Sequence, residues 1–399
     1  MKKNNTLLIL LVILIFSFGL RIFRINYPNT YVFDEVYHAF TAKEYLKGSR
    51  EAWIWWSTPP KGVAYEWTHP PLAKEIMATS MFIFHSTDAW AWRLPGVILG
   101  TVAILFIFQS SKLLFKSSRA ALISSLVFSL DGINFVQSRI GMNDIYLIFF
   151  ILCAFYFLLK QKLFWTGVFL GLSLASKWTT AYFLIILVIV LFKQRQIKKL
   201  PLILLIVLCI YLLSYLPFFY LGFNGGQFLE LQQQMWWYHT NLKATHAYAS
   251  PWWTWPLNLV PVWYFVEYRG EQVANIFTSG NAVLSILGLA TILISLVKYL
   301  KQKSFSLLVT ILAFNAFWLP WAFSPRIMFL YHFAPAIPFL SLILGYQLDI
   351  FSKNRFILFF LLFSIALGFV VIYPILTGVF IPKNLLNYFF LTNLARNPF

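Results

Sequence analysis

Long apolar runs alternate with short basic connectors along almost the whole chain. Eleven such runs can be read, at roughly 6–25, 94–111, 120–137, 144–159, 163–176, 178–192, 200–220, 281–297, 305–321, 328–348 and 356–376. A helix that crosses a bilayer needs ~20 mostly apolar residues. The pattern therefore predicts an all-α integral membrane protein, a bundle of about 11 transmembrane helices with soft boundaries. Two connectors, 26–93 and 221–280, are far longer than the rest.

Composition agrees. Hydrophobic residues make up 60% of the chain and charged residues 11%, against ~25% charged in a soluble domain. The net charge of +18 first suggests nucleic acid, but its distribution argues otherwise. The short connectors, with Lys2 and Lys3, hold 16 of the 31 Lys and Arg residues and a single acid, Asp349. By the positive-inside rule these connectors and the N-terminus lie in the cytoplasm. The charge is then a topology signal, and no nucleic-acid partner is expected. Arg21 and Arg24, not a small-residue cleavage site, follow the first run. This points to an uncleaved first helix in a multi-pass plasma-membrane protein.

Eleven crossings put both long connectors and the C-terminus outside the cell. Twelve of the 13 acids and all six histidines then fall on or near that outer face. The first connector is structured: residues 35–47 have helical composition and stop at Gly48. Residues 72–85 do too, entered through His69-Pro70-Pro71, where proline suits a first helical turn. The tryptophans of both connectors fit an interfacial aromatic belt, with some free to shape a pocket.

The chemistry concentrates in Phe33-Asp34-Glu35, two adjacent carboxylates beside the first span. Charges kept at a membrane boundary are costly and point to function. Arg21, Arg93, Arg139, Lys177 and Arg326 sit at outer ends of spans, where topology does not explain them. Each alone could snorkel to headgroups. Together with Asp34, Glu35 and Asp144 they suit a lipid-linked phosphate, which arginine binds bidentately and lysine as a point charge. Cations would stabilise the departing phosphate while a carboxylate takes a proton from an incoming hydroxyl. The structural alternatives are an ion pair of Asp34 or Glu35 with Arg21 or Arg24, and a helix-start role for Asp144 beside Asn143. His69 and His332 could brace loops or touch substrate, and Asp131 could be a buried polar contact.

No GxGxxG, P-loop or HExxH occurs, so a nucleotide-dependent mechanism has no support. Cys153 and Cys209 form no CxxC. No metal and no cofactor are expected. Internal repeats, which a transporter of this kind would show, are not found.

Seven segments, in order along nearly the whole chain, resemble the protein O-mannosyltransferases of the GT-C glycosyltransferase class. They are Phe33-Asp34-Glu35, Thr68-His69-Pro70-Pro71-Leu72-Ala73-Lys74, Arg93-Leu94-Pro95-Gly96, Ser138-Arg139 through Asp144, Ser176-Lys177-Trp178-Thr179, the run from His246 to Pro256, and Pro325-Arg326 with Tyr331-His332-Phe333 and Pro335. The resemblance implies a single GT-C membrane domain over 1–399, with 281–399 as a C-terminal four-helix region. It implies transfer of mannose from a polyprenyl-phosphate donor to Ser/Thr of a protein acceptor outside the cell, with inversion. In it Asp34 would be the catalytic base, Glu35 would orient the site or contact substrate, and Arg21, Arg93, Arg139, Lys177, His332 and Arg326 would be donor ligands. His69, Asp144 and Trp252 would contact substrate. The second long connector, about 60 residues, is too short for the β-trefoil (MIR) insert of eukaryotic members, which points to the compact prokaryotic form and a carrier such as undecaprenyl phosphate. Two rivals stay open: an aminoarabinose-type transferase acting on a glycan or lipid A, and a flippase for lipid-linked sugars.

Overall fold

The computed structural model of the chain describes residues 3–351 and 353–389. Every predicted apolar run contains a helix. Six helical segments are long and apolar enough to cross a membrane: Asn4–Ile22, Ala89–Phe115, Ala282–Gln302, Phe305–Phe323, Leu330–Phe351 and Arg355–Thr377. Shorter apolar helices fill the predicted runs between them, at Ser118–Ser129, Asp144–Leu159, Leu163–Leu174, Trp178–Lys193 and Leu200–Leu213. The molecule is therefore a multi-pass membrane protein. The last ten residues, and with them the expected outer C-terminus, lie outside the described residues.

Two predicted spans are interrupted for local reasons. The 120–137 run breaks at Asp131, whose carboxylate accepts the Asn134 N–H at 2.7 Å and starts a new helix, Gly132–Gln137. Asp131 is thus a helix cap within the bundle. The 200–220 run breaks before Pro217, which has no N–H to continue the ladder. Helices differ in what they face. Leu330–Phe351 is almost wholly covered by its neighbours. Arg355–Thr377 presents Phe356, Phe359, Phe363 and Val370 outward, as a lipid-facing helix does.

The fold is not all-α. A three-stranded antiparallel sheet is built from β1 (Val262–Arg269), β2 (Gln272–Thr278) and β3 (Phe380–Pro382), in the order β1-β2-β3. The hairpin closes with Arg269 opposite Gln272 across Gly270-Glu271, where Gly270 takes a φ of +55°. The run Val262–Thr278 carries this signal, since β-branched and aromatic residues flank a two-residue glycine turn. Beyond Gln272 the residues of β2 are all buried. Gly132 lets the Gly132–Gln137 helix approach: a Cβ there would lie 2.1 Å from the Ser279 carbonyl oxygen.

The first long connector folds as expected into helices His38–Leu46 and Leu72–Ile83. Gly48 ends the first with a φ of +71°. One buried ion pair fixes its path. The Glu35 carboxylate accepts from Arg93 Nε at 2.7 Å, Arg93 Nη2 at 2.6 Å, Trp92 Nε1 at 2.9 Å, and the backbone N–H of Val32 and Gly141, each at 2.8 Å. The remaining Arg93 donors reach the carbonyls of Ile25 (2.9 Å), Pro28 (3.0 Å) and Thr30 (3.0 Å). Both side chains are sealed from solvent, at 0% and 1% exposure. The pairing expected with Arg21 or Arg24 does not form. Arg24 instead donates to the Gly378 carbonyl at 3.0 Å.

Removing one partner of a buried pair strands the other charge, at a cost of about 3–5 kcal/mol. Arg93→Ala is expected to lower the unfolding temperature of the detergent-solubilised protein sharply or prevent its accumulation. Parent-like stability would show that the pair does not hold this connector.

Candidate active site

Asp34 sits in the 3-10 turn Phe33–Val36 directly beside the buried clasp. Phe33 enters that turn with a φ of +50°, in a region disfavoured for a bulky side chain. Its ring stacks on Tyr264 at 4.1 Å, while Glu35 is anchored on the other side. The turn thus commits Glu35 to structure and aims Asp34 into a cavity of about 1230 Å³. No group among the described residues hydrogen-bonds the Asp34 carboxylate. Its pKa is raised from 3.8 to about 7, first by burial and then by the negative charges of Glu66 and Asp144, against the opposing pull of Lys177 and Arg326. Such a group can accept a proton near neutral pH.

Two cations line the same cavity. Lys177 Nζ pairs with Asp144 Oδ1 at 2.8 Å. Asp144 is the first residue of the helix Asp144–Leu159, where a carboxylate also suits the helix dipole. Its other oxygen, Oδ2, is buried without a partner. Asp144 thus begins the helix and holds Lys177. Arg326 is oriented by His239, whose Nδ1 lies 2.5 Å from Arg326 Nη1. His239 Nε2 lies 2.8 Å from the Thr68 carbonyl oxygen, so Nε2 donates and Nδ1 accepts. The ring is neutral: burial, then the neighbouring Arg326, push its pKa down to about 4. Among the described residues Arg326 Nη2 makes no hydrogen bond, and the Lys177 ammonium makes one. Both cations therefore keep donors for an anion.

Histidines form one wall. His69 stacks on His239 with centroids 5.0 Å apart, and on His38 at 6.2 Å. Burial and the surrounding cations hold His69 well below the ordinary histidine pKa. Lys74 of the His-Pro-Pro-Leu-x-Lys segment does not face the cavity. Its ammonium ties down the loop by donating to the carbonyls of Glu66 and His69, each at 2.8 Å. His332 lines the cavity and packs edge-on against Trp321 at 4.3 Å, with Nδ1 held at its own turn by Phe329.

Among the sequence candidates, Asp34, His69, Asp144, Lys177, Arg326 and His332 converge on the cavity. Arg21, Arg93, Arg139, Glu35 and Trp252 are not among its lining residues. Arg21 donates to Ser138 Oγ at 3.0 Å and to Ser17, and Arg139 donates to the carbonyls of Leu20 (3.0 Å) and Arg21 (2.7 Å). Arg93 is enclosed with Glu35, and Trp252 packs against Trp318 at 5.2 Å. Position in the sequence gave their depth at the membrane edge but not which face of the helix they occupy. In this arrangement the three arginines and Trp252 make their contacts within the protein rather than in the cavity. Sequence reasoning missed Glu66 and His239. Glu66 stands three residues before His69, inside a segment already singled out. His239 lies at the end of a polar helix, Gly225–Asn241, within an apolar protein. Among the described residues no group of three or more His, Cys, Asp or Glu side chains is arranged to hold a metal ion.

Known proteins share both sequence and fold with this chain. Residues 11–232 match the family model described as dolichyl-phosphate-mannose-protein mannosyltransferase. Residues 225–393 match that of the C-terminal four TMM region of protein-O-mannosyltransferase. The polyprenol-phosphate-mannose–protein mannosyltransferase of Mycobacterium tuberculosis is 25% identical, over 88% of this chain and 84% of its own length. That of Corynebacterium glutamicum is also 25% identical, over 69% of each. In fold, the chain is similar to the Saccharomyces cerevisiae Pmt1-Pmt2 complex bound to the sugar donor, with a TM-score of 0.83, 15% identity, and coverage of 98% of this chain and 93% of that one. ArnT from Cupriavidus metallidurans bound to undecaprenyl phosphate is similar at a TM-score of 0.61 and 16% identity, over 88% of this chain and 61% of that one. The ordered motifs and the two family models, which together run from residue 11 to 393, lead to one conclusion: the chain belongs to the dolichyl-phosphate-mannose-protein mannosyltransferase family.

Proposed function

We propose that this chain moves mannose from a polyprenyl-phosphate donor to a Ser or Thr hydroxyl of a protein at the membrane surface, with Asp34 as the base. The observation that carries the roles is one cavity holding an unpaired carboxylate, Asp34, and two oriented cations, Lys177 and Arg326. Family membership and the names of the mycobacterial and corynebacterial relatives supply the sugar, the donor class and the protein acceptor.

The donor phosphate binds at Lys177 and Arg326. The acceptor hydroxyl donates its proton to Asp34 as its oxygen attacks the anomeric carbon. The bond from that carbon to the phosphate oxygen breaks, and its electron pair leaves with the phosphate. The two cations take up the charge that develops there. A phosphate is already a weak base, so no general acid is required. One displacement inverts the anomeric centre, from a β-linked donor to an α-linked product. A retaining route would need a carboxylate nucleophile at that carbon.

Charge placement supports the orientation: cytoplasmic N-terminus, eleven crossings in the plasma membrane, and an outward cavity. Along the chain the basic short connectors hold a single acid, while ten of the 13 acids fall in the two long connectors. Undecaprenyl phosphate or a related polyprenyl phosphate is the carrier that fits the compact form. The likeness to ArnT is one of fold and does not favour an aminoarabinose donor. The flippase reading has no support from the family.

Asp34→Asn should reduce transfer from purified polyprenyl-phosphate-mannose to a Ser/Thr peptide by about 10²–10⁴-fold. It should not destabilise the protein. The folded state holds this proton more tightly than the unfolded chain, so ionising Asp34 weakens folding as pH rises from 3.8 to about 7. Asparagine removes that cost. Undiminished turnover would sink the base assignment. In the parent, kcat/KM should rise with pH through about 7 and level off, because only the ionised carboxylate accepts the proton. A rate that stays flat between pH 5 and 8 would contradict it.

A further inference from the structure

The cavity contains a second carboxylate for which this displacement has no use. Glu66 is buried, with 7% of its surface exposed. Its Oε1 accepts hydrogen bonds from the Thr68 hydroxyl and from the His69 backbone N–H at 3.0 Å. Its backbone is held as firmly: the N–H donates to Thr41 Oγ1 at 2.7 Å and the carbonyl accepts from Lys74. Oε2 makes no hydrogen bond among the described residues. The nearest basic atom, His38 Nδ1, is 3.8 Å away, beyond hydrogen-bond reach.

The charge on Glu66 persists. Burial works against it, but His38, Lys74 and the Thr68 hydroxyl outweigh burial and keep its carboxyl below the ordinary range. Among the charges around Asp34, that of Glu66 acts on it most strongly, ahead of Lys177, Asp144 and Arg326. An ionised carboxylate only accepts hydrogen bonds. One fixed at Oε1 and open at Oε2 calls for a ligand with hydroxyl donors. Of the groups bound in this reading, the acceptor residue gives its one hydroxyl proton to Asp34 and the ionised phosphate offers none, whereas the hexose carries several hydroxyl donors.

We propose that Glu66 is the sugar-recognition residue, its open Oε2 accepting hydrogen bonds from hydroxyls of the hexose and so holding the anomeric carbon between the bound phosphate and Asp34. The assignment rests on the transfer reading above and deepens it. It also gives the site a means of telling donor from product. The donor gains a contact at Glu66, whereas the sugar-free phosphate meets only a second negative charge.

Glu66→Gln tests this in the full-length protein in detergent. Glutamine keeps an Oε1 acceptor for Thr68 and His69, so the loop should hold, and an unchanged unfolding temperature checks that. A hydrogen bond to a charged group is worth ~1.5–3 kcal/mol, so the dissociation constant for polyprenyl-phosphate-mannose should rise about 10- to 100-fold. That for sugar-free polyprenyl phosphate should stay the same or fall. The acid limb of the rate profile should move to lower pH, because a negative charge beside Asp34 is gone. Glu66→Asp, which keeps the charge, should leave that limb in place and bind donor with intermediate strength. Parent-like donor binding by Glu66→Gln, an equal loss for both ligands, or an effect only on the acceptor KM would overturn the assignment. If the parent protein bound neither ligand, the transfer reading would fail and this assignment with it.

Discussion

The site depends on the buried pair between Glu35 and Arg93. A carboxylate enclosed with a guanidinium is held by five donors, and the guanidinium in turn grips three carbonyls of the connector. A dry ion pair of this kind adds little net stability over apolar packing, but breaking it is costly. Its effect here is one of position. Neighbouring residues in a tight turn point different ways, so anchoring Glu35 presents Asp34 to the cavity. Two carboxylates that look alike in sequence acquire opposite fates: one fully satisfied, the other without a partner.

The cavity is tuned by the same economy of partners. Asp34 is left in a poorly solvated place beside Glu66 and Asp144, so its proton affinity rises toward the value a base needs. Lys177 and Arg326 are restrained by Asp144 and His239 yet keep free donors. The histidines that wall the cavity are neutral, because burial beside cations disfavours more positive charge. Positive charge is therefore concentrated on two groups, where a departing phosphate can meet it. Lys74 serves from behind, fastening the loop that carries His69 and Glu66.

Much of this was legible in the chain. The apolar runs are all helical, because hydropathy over ~20 residues is a strong signal in lipid. Gly48 and Pro71 marked helix ends in the first connector. The sheet was missed because a membrane reading favours helices, although the hairpin at Gly270-Glu271 carried its own signal. Strand β3 could not be foreseen, since it pairs with a segment more than 100 residues away. Asp34, Lys177, Arg326, His69, His332 and Asp144 were legible as costly groups at one depth. Arg21, Arg93 and Arg139 share that depth but face packed helices and carbonyls. Depth follows from the linear pattern; the facing of a side chain follows from packing. Glu66 and His239 escaped notice because their importance comes from partners distant in the chain.

Asp34 is kept unpaired and reluctant to ionise while Glu35 beside it is fully paired. Isotope-edited infrared titration of the carboxyl groups, comparing the parent with Asp34→Asn, tests this without relying on turnover. One carboxyl in the parent should ionise around pH 7 and vanish in the variant. An Asp34 carboxyl that ionises near its ordinary value of 3.8 would contradict it.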